Sequence, residues 1–253
     1  MSCNAVRAKI RSHIRSEVRQ RDAASRESRY IRTRNIGPQN WVVGVTVAYR
    51  EKPRIRQTLE SLREAGFSEI TLFCEPGANG IPDSNLNQFC IWNKEVLGNW
   101  GNFARRTVLM SKLPDSINTK YLFTQDDVDW LPGTRQWLEE NWPCNGGPAS
   151  LYRSAKYAPA EGAWSLLGYG KPFLGMLAVA LSRDNLLALT TNLDAMTDDE
   201  KNKDDIKFGQ FCHALNIPIN IANASRCQHT GVVSSLYPTT GLTKLRQANT
   251  YVG

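Results

Sequence analysis

The chain has 253 residues, 41% of them hydrophobic and 22% charged, with a net charge of +7, which is ordinary for a globular protein that buries a sizeable core. No apolar run reaches the roughly 18–20 residues that cross a bilayer, and no signal-peptide pattern opens the chain, so a cytoplasmic location is predicted. The six cysteines have neither CxxC nor zinc-finger spacing, which argues against a structural zinc site and favours reduced, mostly structural thiols.

The first predicted element is a basic N-terminal extension. Residues 1–36 hold ten Arg or Lys and three acids, a net of +7, whereas the rest of the chain is neutral. Val6, Ile10, Ile14 and Val18 recur at four-residue spacing, which predicts an amphipathic basic helix. Such an arm can bind phosphates, a membrane surface or an acidic partner, although the apolar stripe is thin for membrane attachment. The alternative is a helix that packs its stripe on the protein body and leaves its arginines in solvent.

Residues 37–253 are predicted to form one α/β domain without an internal linker. Continuous β-branched runs indicate strands buried on both faces, and apolar residues at helical spacing indicate helices that cover them. Strands are predicted in "WVVGVTVAY", "EITLFCEPG", "NQFCIWN", "KYLFTQDD", "ASLYRSAKY", 175–181 and "IPINIANASRCQHTG". Helices are predicted in "RIRQTLESLREAGF", from about Asn102, in "TRQWLEENW", after Arg183 and in "DDIKFGQFCHAL". This alternation predicts a Rossmann-like, mixed but mostly parallel sheet with helices on both faces.

Polar or glycine-rich segments follow the first four predicted strands, where ligands collect in open α/β sheets. In the fourth segment, Asp126, Asp127 and Asp129 come directly after a buried strand. Carboxylates this close repel one another, and a Mg²⁺ or Mn²⁺ ion would neutralise them while leaving positions open for phosphates. The alternative is a polar turn whose acids cap the next helix, and Asp129 is interpreted in that way, as a turn residue ahead of Pro132.

The aspartate cluster alone does not define a reaction, because phosphatases, nucleases, polymerases and sugar transferases all use one. The chain contains neither a DxDxT pattern nor a P-loop GxxxxGK(S/T). Kinase, ATPase and haloacid-type phosphatase functions are therefore disfavoured.

The order of the motifs resembles that of the GT-A fold glycosyltransferases, which depend on a nucleotide sugar, and in particular its family-2-like members. The likeness extends over most of residues 41–236, and it implies a single GT-A-like domain. One departure is "AYR", which stands where a Pro-x-x-Asn-like turn is more usual. The motifs that carry the resemblance are "VVGVTVAYREKPRIRQTLESLREAGF", "LFCEPG", "LGNWGNFARRTV", "FTQDDV", "KDDIKFGQFC" and "CQHTGVVSSL".

The resemblance implies roles for the acidic motif and for the late histidine. Asp127 would bind the metal that bridges the two phosphates of the donor, and Asp126 would contact the ribose or a metal-bound water. His229 would be the second protein ligand, and an imidazole suits Mn²⁺ better than Ca²⁺. Asp204 or Asp205 would be the base that deprotonates the acceptor hydroxyl. The alternatives are that His229 has a structural role and that Asp204 and Asp205 only cap a helix.

The resemblance also implies a donor pocket, with a UDP-sugar as the commonest donor of the family. Tyr49, Arg50 and Glu75 would line the nucleoside pocket, while Asn102 and Arg106 would lie near the diphosphate.

The acceptor is predicted only from the position of the positive charge. A basic arm favours a polyanionic acceptor, and phosphate neutralisation binds DNA without sequence preference. A hydroxymethylated pyrimidine in viral DNA is a concrete hypothesis, because its hydroxyl accepts a sugar after the base flips out of the duplex. A cell-envelope glycan, a small molecule and a protein side chain remain open as acceptors. Two further classes also remain open, a metal-dependent nuclease or phosphatase and a noncatalytic nucleic-acid-binding protein.

Overall fold

The structure is a computed structural model that describes residues 41–82, 90–112, 118–158, 160–168, 170–193 and 204–230. The basic helix predicted within residues 1–36 lies outside these ranges, and so does the end of the predicted domain after residue 230. No helix within the described ranges is both long enough and apolar enough to cross a membrane.

The described residues form ten strands and five helices. The strands are β1 (Trp41–Val47), β2 (Ile70–Cys74), β3 (Cys90–Trp92), β4 (Lys120–Gln125), β5 (Val128–Trp130), β6 (Ala149–Ser150), β7 (Trp164–Leu166), β8 (Ala178–Ser182), β9 (Asn220–Ala222) and β10 (Cys227–His229). The helices are α1 (Ile55–Glu64), α2 (Gly98–Met110), α3 (Thr134–Glu140), α4 (Arg183–Asn192) and α5 (Asp204–Leu215).

Eight strands form one mixed sheet in the order β3-β2-β1-β4-β8-β6-β9-β7. Strand β1 pairs in parallel with β2 and β4, and β3 continues the parallel half beyond β2. Because β8 is antiparallel to both β4 and β6, and β9 is parallel to β6, strands β6 and β9 run in the same direction as β1. Six strands therefore end at one edge of the sheet, and the prediction of a mostly parallel α/β sheet is confirmed.

Helices cover both faces of the sheet, and two apolar clusters lie beneath them. On one face the buried residues Ile55, Leu59 and Leu62 of α1 pack with Leu138 of α3. On the other face, Phe103 of α2 packs with buried residues of α4 and α5. The predicted β-branched runs form the central strands because their side chains are buried on both sides.

Three local predictions differ from the structure. Helix α2 begins at Gly98 rather than near Asn102, because its first turns bury Trp100 and Phe103 in the core. Strand β6 has only two residues, although nine were predicted to be strand-like. Asp129 is not a turn residue: it lies in β5 and pairs with Gln228 of β10 in a separate two-stranded sheet.

Candidate functional site

The site lies where the chain connections of the sheet change direction. Strand β1 is flanked by β2 on one side and by β4 on the other, so the crevice between the ends of β1 and β4 is the topological switch point. Ligands of open α/β proteins bind outside the carboxyl ends of the strands at such a point. The residues that follow β1 and β4 here are Ala48 to Arg50 and the turn residues Asp126 and Asp127.

Asp126 connects the two strands at this point. Its Oδ2 accepts a hydrogen bond from the Ala48 N–H (3.1 Å), and its Oδ1 accepts two from Arg50, from Nε (2.8 Å) and Nη2 (2.6 Å). The residue is 3% exposed, and burial raises the pKa of its carboxyl, against which the bonds and charge of Arg50 act in the opposite direction. Asp126 is thus a buried acid that depends on the neighbouring guanidinium for its charge.

Asp127 joins the same guanidinium to the late histidine. Its fully buried Oδ2 lies 2.9 Å from Arg50 Nη1 and 3.1 Å from His229 Nε2. His229 reaches this position because β10 pairs with β5, which places His229 opposite Val128. The Thr230 N–H and hydroxyl both donate to the Asp127 carbonyl, at 2.8 and 3.0 Å. The structure therefore brings together two predicted metal ligands that lie far apart in the sequence.

The residues present fit a divalent metal only in part. Within the described ranges no group of three or more His, Cys, Asp or Glu side chains is arranged to hold a metal ion. Asp127 and His229 offer one oxygen and one nitrogen, a pair that suits Mn²⁺, and ions bound with phosphates take their remaining ligands from substrate and water. The buried Nδ1 of His229 has no hydrogen-bond partner among the described residues. A metal at Asp127 would have to share that carboxylate with Arg50.

Arg50 is held through both its guanidinium and its backbone. Its guanidinium binds the two aspartates, and its backbone is held by Asn79, whose side chain accepts from the Arg50 N–H (3.0 Å) and donates to the Arg50 carbonyl (2.9 Å). The predicted role of Arg50 in a nucleoside pocket stays a prediction. Tyr49, immediately before it, is 62% exposed at the same edge. The predicted role of Tyr49 in a nucleoside pocket stays a prediction.

Glu75 follows β2 at this edge and is held by the start of α2. Its Oε2 accepts from the Leu97 N–H (3.1 Å), and its Oε1 accepts from Asn102 Nδ2 (2.8 Å). A carboxylate is favoured at the positive end of a helix, so the start of α2 stabilises this buried acid. Glu75 and Asn102 therefore form one unit beside the switch point.

Asn93 is a residue at this edge that the sequence motifs did not single out. It follows β3 directly, is 6% exposed, and its Oδ1 and Nδ2 have no hydrogen-bond partner among the described residues. The Oδ1 of Asn102 is also buried without a hydrogen-bond partner among the described residues. An unpaired buried polar atom costs about 1–3 kcal/mol of stability, so these three atoms need an explanation. Its position just after a strand was the one sequence signal that pointed to Asn93.

Arg106 is buried between α2 and the sheet. Its Nη1 donates to the carbonyls of Gly44 (3.0 Å) and Thr124 (2.8 Å), and its guanidinium lies 5.3 Å from the centre of the Phe123 ring. Burial lowers the pKa of Arg106 to about 10, and the charge of Asp204 opposes this shift. These contacts connect helix α2 to strands β1 and β4. The predicted contact of Arg106 with a diphosphate stays a prediction.

Asp204 and Asp205 open α5, as predicted. Asp204 is buried, and its Oδ1 accepts from the Asp205 N–H (3.0 Å), while Asp205 is half-buried. Asp204 interacts electrostatically with Arg106, and Asp205 with Tyr157. Of the two candidate bases, Asp205 is the more accessible.

Comparison with known proteins adds little to this geometry. No family model matches the chain, and no curated protein matches it. Among solved structures, the chain is similar to the inositol-1-phosphate CTP transferase from T. maritima, with 13% sequence identity and a TM-score of 0.47. That similarity covers 83% of this chain and 96% of the other.

Proposed function

We propose that the chain is a metal-dependent glycosyltransferase that moves a sugar from a nucleotide sugar, with a UDP-sugar as the first candidate, to an acceptor hydroxyl. The observation that carries the proposal is the convergence of Asp126, Asp127, Arg50 and His229 at the switch point of the sheet. A buried group of two acids, one guanidinium and one imidazole at a ligand-binding edge is far more than a surface turn requires.

The chain's own residues supply the parts that such a transfer needs. Asp127 and His229 would hold the metal, which when bound offsets the charge that builds on the departing nucleoside diphosphate. Arg50 adds a positive charge at the same place and pairs with both buried aspartates. Glu75 and Tyr49 would contact the nucleoside.

The base that activates the acceptor is proposed to be Asp205, or else Asp204. Asp205 is half-buried, whereas Asp204 is buried and interacts with Arg106. A base must come within hydrogen-bond reach of the hydroxyl that it deprotonates, so accessibility favours Asp205. Asp205→Asn is expected to abolish transfer without weakening nucleotide binding.

A binding experiment tests the proposal directly. Melting temperatures are measured for the full chain with UDP, GDP and their sugars, with and without Mn²⁺, because a ligand that binds only the folded state raises its stability. The expected result is a Mn²⁺-dependent rise with one diphosphate and its sugar, which Asp127→Asn removes and Asp129→Asn retains. No response to any nucleotide diphosphate or sugar would refute the proposal. Phosphate release or DNA nicking with Mg²⁺ and no nucleotide sugar would point to a nuclease or phosphatase instead.

DNA is proposed as the acceptor only on the charge of residues 1–36. The arm would neutralise phosphates, and a hydroxymethylated pyrimidine would supply the hydroxyl. Gel-shift titrations of the full chain and of a chain without residues 1–36 are expected to show salt-sensitive DNA binding that the deletion weakens. Absence of such binding would remove DNA as the acceptor and leave a glycan, a protein or a small molecule.

A further inference from the structure

Arg153 is a buried cation at the ligand-binding edge, two strands beyond β4. It follows β6, which runs in the same direction as β1, so it lies beyond the carboxyl end of a strand, as Asp126 does. Its backbone N–H donates to Ser225 Oγ over 2.8 Å, and the residue is only 2% exposed. A charge removed this far from water is stable only if other groups compensate for it.

The contacts of Arg153 leave its charge uncompensated. Its Nη1 donates to Ser165 Oγ (3.1 Å) and to Asn223 Oδ1 (3.0 Å), and its Nη2 donates to the Ala158 carbonyl. All three acceptors are neutral, and no carboxylate of the described residues forms an ion pair with Arg153. Its buried Nε has no hydrogen-bond partner in the same ranges. Buried guanidinium groups are normally paired with an acid, so these contacts favour an anion as the missing partner.

Tyr157 connects this cation to the proposed base. Its hydroxyl donates to the Pro172 carbonyl (3.1 Å) and accepts from the Leu174 N–H (2.8 Å), and its phenol interacts electrostatically with both Arg153 and Asp205. Burial raises the pKa of Tyr157 to about 12, so the phenol is neutral at neutral pH and does not offset the charge of Arg153. The buried cation and the proposed base therefore lie around one side chain.

We propose that Arg153 binds an acidic group of the acceptor, a carboxylate or a phosphate, and so holds the acceptor hydroxyl near Asp205. The inference rests on the proposed function, and it adds a binding residue and a chemical class of acceptor to it. An oxyanion would accept from the Nε–H and would replace the neutral Ala158 carbonyl at Nη2. These are the paired, charge-assisted bonds that a guanidinium forms with carboxylates and phosphates. Ala158 is exposed, so a small shift of its backbone frees this side of the guanidinium.

The test measures the melting temperature of the full chain without metal, in titrations with sodium phosphate or sodium acetate against sodium chloride at equal ionic strength. An anion that binds the folded state raises the melting temperature. Phosphate also stabilises proteins because it is excluded from their surfaces, so the deciding quantity is the difference between the wild-type protein and Arg153→Gln. The wild-type protein is expected to bind one of the two anions about 10-fold or more tightly than the variant, and that anion tells phosphate from carboxylate.

Two further variants separate anion binding from general charge and from folding. Lys156→Gln removes a positive charge from an exposed residue of the same loop, and it is expected to bind both anions as tightly as the wild-type protein. Ser165→Asp puts a carboxylate beside Arg153, because the Ser165 hydroxyl already accepts from Nη1. It is expected to raise the melting temperature without added anion and to remove the response to the anion. This variant keeps the test decisive if Arg153→Gln does not fold.

The outcomes are distinguishable. Equal responses of the wild-type protein and Arg153→Gln to both anions, or a full response of Ser165→Asp, would overturn the inference and leave the proposed function intact. Arg153→Gln is expected to bind UDP with Mn²⁺ as tightly as the wild-type protein does, and weaker binding would assign Arg153 to the donor and overturn its acceptor role. Failure of the wild-type protein to bind any nucleotide diphosphate would overturn the proposed function, and the acceptor role with it, even if anion binding depends on Arg153.

Discussion

Replacing Arg50 by glutamine is the sharpest perturbation of the site, because one guanidinium serves two buried carboxylates. Arg50 lies 2.6 Å from Asp126 Oδ1 and 2.9 Å from Asp127 Oδ2, and the acidic side chains are only 4% and 1% exposed. Removing one partner of a buried ion pair costs about 3–5 kcal/mol, since the other charge is left without compensation. The side chain of Arg50 is 14% exposed, so water can enter in its place and the lower end of that range is expected.

The assay is urea and thermal unfolding of the wild-type protein and of Arg50→Gln, with Arg54→Gln as the control. Arg54 lies on the same connection, and its Nη1 donates to Gln57 Oε1 in an exposed position (3.2 Å). A loss of about 3 kcal/mol in the free energy of unfolding corresponds to a melting temperature lower by roughly 6–12 °C for a domain of this size. Mn²⁺ is expected to restore part of the loss, because a bound cation replaces the missing charge.

A double variant makes the reasoning refutable. Arg50→Gln combined with Asp127→Asn removes one of the uncompensated carboxylates and is expected to be more stable than Arg50→Gln alone, which is the signature of coupled residues. If Arg50→Gln unfolds within about 1 kcal/mol of the wild-type protein, the cluster is solvated and the pairing does not support the site.

Three further predictions concern the site, the packing and the thiols. Asp127→Ala is expected to abolish transfer with far-UV circular dichroism unchanged, and near-normal transfer rates would contradict its assignment. Gly147→Ala is expected to lower the free energy of unfolding by about 1–3 kcal/mol, because an added Cβ would lie 2.0 Å from the Pro218 carbonyl oxygen. Urea titrations measure this loss, and an unchanged midpoint would refute the contact. Burial raises the pKa of the Cys74 thiol to about 12, so at pH 8 only about 0.01% of it is thiolate. Iodoacetamide labelling followed by peptide mapping is therefore expected to modify the exposed Cys144 and to leave the buried Cys74 unmodified. Rapid modification of Cys74 would contradict its burial in β2.

The central sheet was predictable because its signal is local. The β-branched run that forms β1 and the run that forms β4 are buried on both faces, and such strands read as continuous apolar segments whatever their neighbours are. The position of Asp126 and Asp127 at a strand end follows from the same pattern. Sequence alone therefore determined the class of fold and pointed to the edge of the sheet that carries the acidic pair.

The boundaries that the sequence missed were decided by tertiary packing. Helix α2 begins four residues early because its first turns contribute to the core, and β6 is short because only two residues find partners in the sheet. Asp129 belongs to a strand because β10 returns to pair with β5. Local sequence propensities cannot predict this pairing, because β5 and β10 lie far apart in the sequence.

Tertiary contacts also decided which residues make up the site. The resemblance named His229 as a ligand, and the β5–β10 pairing is what brings its imidazole to 3.1 Å from Asp127. Arg50 was expected at a nucleoside, which stays a prediction, and the structure shows that its guanidinium pairs with the two buried aspartates. Asn93 carries no sequence motif at all, and only the parallel register of β2 and β3 places it beside Glu75. The sequence by itself determined which residue types stand at the ends of the strands, and the tertiary structure decided which of them meet, because charge pairing and hydrogen bonding act over a few ångströms between residues that are distant in the chain.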